Sequence, residues 1–275
     1  MSMTVVTIAR NDLAGIKRTF ESLAAQTYTD VEHIIIDGAS TDGTAEWAAA
    51  NAVFADTRVL SEPDSGIFNA MNKGLALASR DVVNFLNSGD SFAADEVLDD
   101  VATSYQQHRW QWAYGFGRMV TDQGTTSAGG RVRRKHSWVR NTFWSYEVCH
   151  QAVFMRASLA RELGGFDDGL RIAADYRLVT AAGMRSDPEL FPRVLALVAE
   201  GGVSDIEQGR SHLEAHRARV GLLGWGRILD TTDLLWTLIL IVRSKGRRRA
   251  GRLVRSLGRK MRRRRLVLGE TCGPV

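Results

Sequence analysis

Four times in its first ninety residues the chain runs through short β-branched and apolar segments that end in loops of Asp, Asn, Ser and Gly. The segments are Thr4–Ala9, Val31–Ile36, Arg58–Leu60 and Val82–Leu86. Between them lie stretches of helical periodicity. Leu13, Ile16, Phe20 and Leu23 mark one apolar face, and Ile67, Ala70, Met71 and Leu77 mark another. A helix also fits the stretch from Thr44 to about Asn51. Strands alternating with helices build βαβ units and a mostly parallel sheet. Right-handed crossovers then bring the loops after Ala9, Ile36, Leu60 and Leu86 to one edge. In open α/β sheets that edge binds ligands.

Asp37, Asp64 and Asp90 fall on these loops. Each alone is an ordinary turn residue, because Asp bonds its own backbone and tolerates unusual φ. Their recurrence after successive strands favours a ligand site. Gly38, Gly66 and Gly89 beside them permit close backbone approach. A carboxylate at Asp90 can hold a divalent cation, and the cation can hold a diphosphate. No Gly-x-Gly-x-x-Gly follows the first strand and no phosphate-loop Lys motif is present, so a dinucleotide fold is disfavoured.

Further on, Asp95 to Gln107 reads as a helix. Trp112 to Val120, a turn at 121–124 and the segment beyond read as antiparallel strands. Cys149 to Met155 reads as a strand with His150 at its start, and Ala157 to Leu163 as a helix stopped by Gly164 and Gly165. A last helix of this part starts near Ala173 and carries Asp175, where a carboxylate also suits the helix dipole.

From residue 4 to about 205 the chain resembles the family 2 glycosyltransferases with the A-type nucleotide-sugar fold. The colanic-acid and capsular polysaccharide subgroup comes nearest. The resemblance rests on Val6 to Asn11, Ile36 to Thr44, Glu62 to Gly74, Phe85 to Asp90, His150 to Phe154, Gly164 to Asp167, Ala174 to Tyr176 and Gly201 to Ser204. It implies a Rossmann-like nucleotide-sugar-binding domain over 1–205, a mixed, mostly parallel sheet flanked by helices. It also implies roles for individual residues. Thr7, Ala9, Arg10 and Asn11 would line the nucleoside, and Asp37 would meet the base. Gly38 stands where many relatives carry a second acid. Asp64 and Asn72 would border the nucleotide-sugar pocket.

Asn87, Ser88, Gly89 and Asp90 match the family's acid-rich metal region, of which only Asp90 keeps the carboxylate. Asp90 is therefore the expected ligand of Mn²⁺ or Mg²⁺, with substrate and water supplying the rest. His150, Gln151, Gly202 and Ser204 would lie by the diphosphate or acceptor. Asp175 would be the general base of an inverting transfer to a lipid-linked or polysaccharide-precursor acceptor. Two alternatives stay open. A sugar-phosphate nucleotidyltransferase needs a Gly-rich basic loop after the first strand, which Thr7 to Asp12 does not supply. A non-catalytic membrane scaffold on the same fold would explain the thinned acid cluster.

Charge distribution adds a location. The net charge of +5 is an average over two unlike parts. Arg243 to Arg265 holds thirteen Lys or Arg and no acid, so removing them from +5 leaves −8 on the rest. Such asymmetry points to an anionic partner for the tail. His212 to Leu229 reads as helical, Leu234 to Val242 is apolar except for Thr237, and Leu253, Val254, Leu257 and Met261 share a helical face. The expectation for 206–275 is a helical, basic extension lying on an anionic membrane. No nucleic-acid motif accompanies it, and nucleic acid is not an expected partner. Two distant cysteines, Cys149 and Cys272, and the lack of a basic leader before the first strand favour a cytoplasmic setting. The enzyme would sit peripherally on the inner face of the plasma membrane. Arg131 to Lys135 and the aromatics Trp138, Phe143, Trp144 and Tyr146 read either as a solvated loop over packed rings or as an acceptor surface.

Overall fold

The computed structural model describes residues 1–121, 124–125, 139, 142, 148–200, 208–224, 226 and 228–242. The chain divides into two compact units, Met1–Val203 and Ser204–Val275.

The first unit is an α/β domain. Strand β1 (Met3–Ala9) pairs in parallel with β2 (Val31–Asp37) and with β4 (Val82–Phe85), and β2 pairs in parallel with β3 (Asp56–Ser61). Helices α1 (Leu13–Ala24), α2 (Thr44–Ala50) and α3 (Ile67–Leu77) make the crossovers. Beyond β4 the sheet turns antiparallel. Strand β8 (Val153–Arg156) runs against both β4 and β6 (Trp112–Thr121), and β9 (Glu189–Ala199) lies parallel to β6. The short strands β5 (Ser91–Phe92) and β7 (Gly124–Thr125) pair with β9 and β6. Across the described residues the order is β3-β2-β1-β4-β8-β6-β9-β5. Helix α4 (Val97–His108) follows β5, while α5 (Ala157–Glu162) and α6 (Ala174–Arg185) follow β8.

The register explains why the loops meet. Ala9 lies opposite Asp37, and Asp37 opposite Ser61, so β1, β2 and β3 end level. The chain after β4 continues along β1, with Leu86 N donating to Val6 O and Ser88 N to Ile8 O. Every residue of β1 and β2 is buried, as strands covered on both faces must be. Gly74 lets α3 sit on β1, since a Cβ there would stand 2.3 Å from Val6 Cγ1.

Several buried polar residues of this sheet are paired with one another. Glu32, on β2, takes Thr4, Ser79 and Arg58. His33, fully enclosed, has Nε2 3.0 Å from Thr7 Oγ1 and packs its ring on Phe20 and Phe54. Burial pushes its pKa down to about 3. The unfolded chain therefore takes up this proton first. The stability His33 contributes is complete above its unfolded value near 6.5 and is lost as pH falls towards 3. Urea titrations between these limits are expected to show His33→Phe, which keeps a ring between Phe20 and Phe54, losing less stability on acidification than the wild type.

Two expectations about elements need correction. Val153, not Cys149, begins β8; His150–Ala152 is a tight 3₁₀ turn. Ala152 N donates to Cys149 O, and Cys149 Sγ donates to Gln151 Oε1, which closes the turn. In the second unit the helical run does not continue from His212 to Leu229. Helix α7 (Gln208–Leu223) stops at Gly224, whose φ is +58°, and a new helix, α8, covers 228–242. A glycine adopts that left-handed conformation without the clash a Cβ brings.

Candidate active site

The first-strand loop is held by its neighbours. Asn11, at φ +49°, accepts from Thr41 N and donates its own N–H to Ser40 Oγ. Asp12 caps α1 by accepting from Gly15 N at 3.0 Å, and its other oxygen accepts from Ser88 Oγ at 2.8 Å. The first and fourth loops are thus joined at one carboxylate, as the fold leaves them side by side.

Asp37 is fully buried, and its carboxylate accepts from Ser40 N at 2.9 Å and Ser61 Oγ at 2.6 Å. Here it ties the second loop to the end of β3. Gly38 next to it is crossed by the side chains of Asp64 and Arg10; a Cβ would stand 2.5 Å from Asp64 Oδ2 and 3.2 Å from Arg10 Cδ. Arg10, Gly38 and Asp64 therefore form one patch at the β1–β3 end, with Arg10 exposed. Thr7 and Ala9 are buried in β1, where Thr7 contacts His33. Asn72 is spent elsewhere. Its amide donates to Phe166 O at 2.7 Å and accepts from Phe166 N at 2.9 Å, clamping the turn after Gly165.

The fourth loop carries the acid. Thr19 of α1 accepts from Gly89 N and donates to Asp90 O, fixing a turn in which Gly89 has φ +89°. Asp90 is 4% exposed. One of its oxygens accepts from Gln151 Nε2 at 2.9 Å and the other from Ala199 N at 3.0 Å. Burial raises its pKa above the ordinary carboxylate range, against the opposing pull of the Ala199 and Gln151 bonds and of His150, while Asp12 adds to the rise. Desolvation of the anion is thus incompletely offset by these donors, and a nearby cation would complete the compensation.

The 3₁₀ turn joins this acid to a second one. His150 Nδ1 lies 3.1 Å from Asp175 Oδ2, and its Nε2 lies 3.2 Å from Asn87 Nδ2. Donation from Nδ1 to Asp175 together with acceptance at Nε2 from Asn87 satisfies both contacts. That bond also fixes the Asn87 amide. Its Oδ1 then points away, buried and without a hydrogen-bond donor. Asp175, at the start of α6, holds its other oxygen 2.7 Å from Tyr176 N, and its side chain keeps 28% exposure. An apolar cavity reaches this dyad, with Phe85, Met155, Phe166 and Leu178 among its walls. Two consecutive residues, His150 and Gln151, thus reach one acid each.

The residues suit a divalent cation in one respect and limit it in another. The orphaned Asn87 Oδ1 and the under-compensated Asp90 belong to the same four-residue loop. Among the described residues no group of three His, Cys, Asp or Glu could hold a metal alone. A cation here would draw most ligands from substrate and water, as Mg²⁺ and Mn²⁺ commonly do.

Sequence reasoning missed Thr19, Asp12 as the partner of Ser88, and the strand β9 that delivers Ala199 N. Gly202, Ser204, the basic run 131–135, the rings of Trp138, Phe143, Trp144 and Tyr146, and the basic tail lie outside the described residues.

Residues 4–163 match the family model for glycosyl transferase family 2. An uncharacterized glycosyltransferase of Mycobacterium tuberculosis is 34% identical over 209 residues, covering 74% of this chain and 76% of that protein. A PGL/p-HBAD biosynthesis glycosyltransferase of the same species is 27% identical over 202 residues, covering 71% and 76%. Among solved structures, S. aureus TarS 1-349 in complex with UDP superposes with a TM-score of 0.65 at 17% identity, over 86% of this chain and 71% of that one. The mannosyltransferase PcManGT of Pyrobaculum calidifontis, in complex with GDP-Man and Mn²⁺, gives 0.60 at 18% identity, over 82% and 65%. The chain belongs to glycosyl transferase family 2, and its fold is the A-type nucleotide-sugar fold. It is a glycosyltransferase, which takes the place of the nucleotidyltransferase and scaffold alternatives.

Proposed function

We propose that this enzyme moves a sugar from a nucleoside diphosphate sugar to a hydroxyl of a lipid-linked or polysaccharide-precursor acceptor, with inversion. The observation that carries the reading is the His150–Gln151 turn, which ties Asp175 to Asp90. Donor and acceptor chemistry need an anion-handling group and a base at a fixed separation, and one rigid turn holds both. Arg10, Asn11, Asp37 and Asp64, with Thr7 and Ala9 behind them, form the nucleoside end. Asn87, Ser88, Gly89 and Asp90 face the diphosphate. Asp175 takes the acceptor proton, and the oxygen attacks the anomeric carbon from the side opposite the leaving diphosphate. His150 holds Asp175 in place by donating to it. Mn²⁺ or Mg²⁺ bound beside Asp90 and Asn87 would offset the leaving-group charge.

Binding of UDP, UDP-GlcNAc and GDP-Man by the structural neighbours supports a nucleotide-sugar donor. The PGL/p-HBAD biosynthesis glycosyltransferases support a sugar-transfer step in a biosynthetic route. The basic segment 243–265 supports a place on the cytoplasmic face of the plasma membrane, against anionic lipid. The reading is tested by incubating purified enzyme and Mn²⁺ with a panel of nucleoside diphosphate sugars and lipid-extract acceptors. One donor is expected to be consumed, with the product's anomeric configuration inverted by NMR. Retention of configuration, or no consumption of any donor by folded protein, would contradict it.

A further inference from the structure

The second unit shows a reversed polarity. Helices α7 and α8 meet through charged and polar side chains. Arg219 donates from Nε to both Asp233 oxygens at 3.0 Å and from Nη2 to Thr237 Oγ1 at 2.9 Å. His216 lies 2.7 Å from Asp233 and 3.2 Å from Asp230. Arg219, Asp233 and Thr237 are all buried. The opposite face of α8 is apolar and open. Ile228 is 80% exposed, Leu235 57%, Leu238 46% and Val242 69%, at the spacing of one helical face. A helix in water does the reverse, turning its apolar stripe to its partner. Contiguous apolar patches of this kind mark an interaction surface.

Charge identifies the occupant. The thirteen cations of 243–265, with no acid among them, begin at the residue after Val242. A second copy of the chain would add thirteen more cations and no acid to neutralise them. An anionic bilayer compensates them. The length of α8 fits the same occupant. Residues 228–242 at 1.5 Å per residue reach about 22 Å, short of the roughly 30 Å hydrocarbon core. No helix among the described residues is long and apolar enough to cross a membrane. We propose that the outer face of α8 lies in the headgroup–acyl boundary of an anionic bilayer, a contact of apolar insertion distinct from the charge attraction of the tail. The buried Arg219–Asp233 pair is the device that lets α8 turn its apolar residues outward while its polar ones stay satisfied.

This inference rests on the membrane-surface part of the function proposed above, and its test separates the two. Full-length protein is floated with phosphatidylglycerol–phosphatidylcholine vesicles at low salt and at about 1 M salt, where surface charges are screened within about 3 Å. Three variants accompany it: Leu235→Ser with Leu238→Ser and Val242→Ser; Leu235→Glu alone; and Arg247, Arg248 and Arg249 all changed to Gln. Wild type is expected to stay bound at high salt, and both α8 variants to bind at least about tenfold more weakly there with unchanged melting temperature. The Gln variant is expected to lose affinity at low salt only. Release of wild type by salt, or salt-resistant binding by both α8 variants, overturns the insertion. A wild-type dimer that the α8 variants convert to monomer also overturns it. Unchanged low-salt binding by the Gln variant would instead count against the charge attraction and leave insertion standing.

Discussion

Asp175→Asn is expected to lower turnover by between about 10²- and 10⁴-fold, the range that a positioned general base supplies. The asparagine keeps the shape and one acceptor oxygen, so the contact with Tyr176 N survives. What disappears is the capacity to take a proton from the acceptor hydroxyl. Because Asp175 is partly exposed and sits on the first turn of α6, melting temperature is expected to change little. Donor binding is also expected to persist, since the proposed nucleoside end lies on the loops after β1, β2 and β3. His150→Ala removes the imidazole that orients Asp175 and Asn87. Its turnover is expected to fall less, because the carboxylate stays but loses the group that orients it. Unchanged turnover in folded His150→Ala would make His150 structural only. A folded Asp175→Asn enzyme with wild-type turnover would remove the base from its assigned position.

The second large effect belongs to Asp90. Its raised pKa has a definite sign. The folded protein holds the proton on Asp90 more tightly than the unfolded chain does. The stability from this group is therefore present below the unfolded pKa, near 3.8, and is lost as pH rises through the raised folded value. At neutral pH the buried carboxylate costs stability that a bound cation would offset. Cation affinity is expected to fall on acidification at a pH above that of an ordinary Asp. Asp90→Asn removes the carboxylate proposed to hold the cation, and turnover is expected to fall by about 100-fold or more, as when a group that offsets developing charge is lost.

Most of the parallel half of the sheet was legible because its signals are local. Apolar runs such as Val31–Ile36 end in turn residues, and the helical periods between them are clean. The acids after those strands were legible for the same reason. The three-dimensional uses of the residues were not. Nothing in the spacing of Asn72 and Phe166 says that one amide closes on the other's backbone across 94 positions. Asp37 looks from the sequence like a ligand-facing acid, whereas the fold also uses it to fasten Ser40 and Ser61. The turn at His150 was hidden because Ala152-Val153-Phe154-Met155 reads as one apolar strand. Only the reach of Gln151 to Asp90 and of His150 to Asp175 explains why the strand must start later. Strand β9 was missed because Glu189–Ala199 carries a proline and an arginine and shows no clean alternation. Its end nevertheless delivers the backbone N–H that Asp90 accepts.

The most direct measurement is thermal unfolding of wild type and Asp90→Asn with a panel of nucleoside diphosphates, each with and without Mn²⁺. A ligand that binds only the folded state must raise the melting temperature, by about 2.7 kcal/mol of stability at a hundredfold excess over its Kd. In wild type, one diphosphate is expected to give a rise of several degrees that requires Mn²⁺ and weakens towards acid pH. In Asp90→Asn the Mn²⁺-dependent part is expected to vanish. Equal shifts in the two proteins, or no shift with any diphosphate, would contradict a diphosphate site built around Asp90.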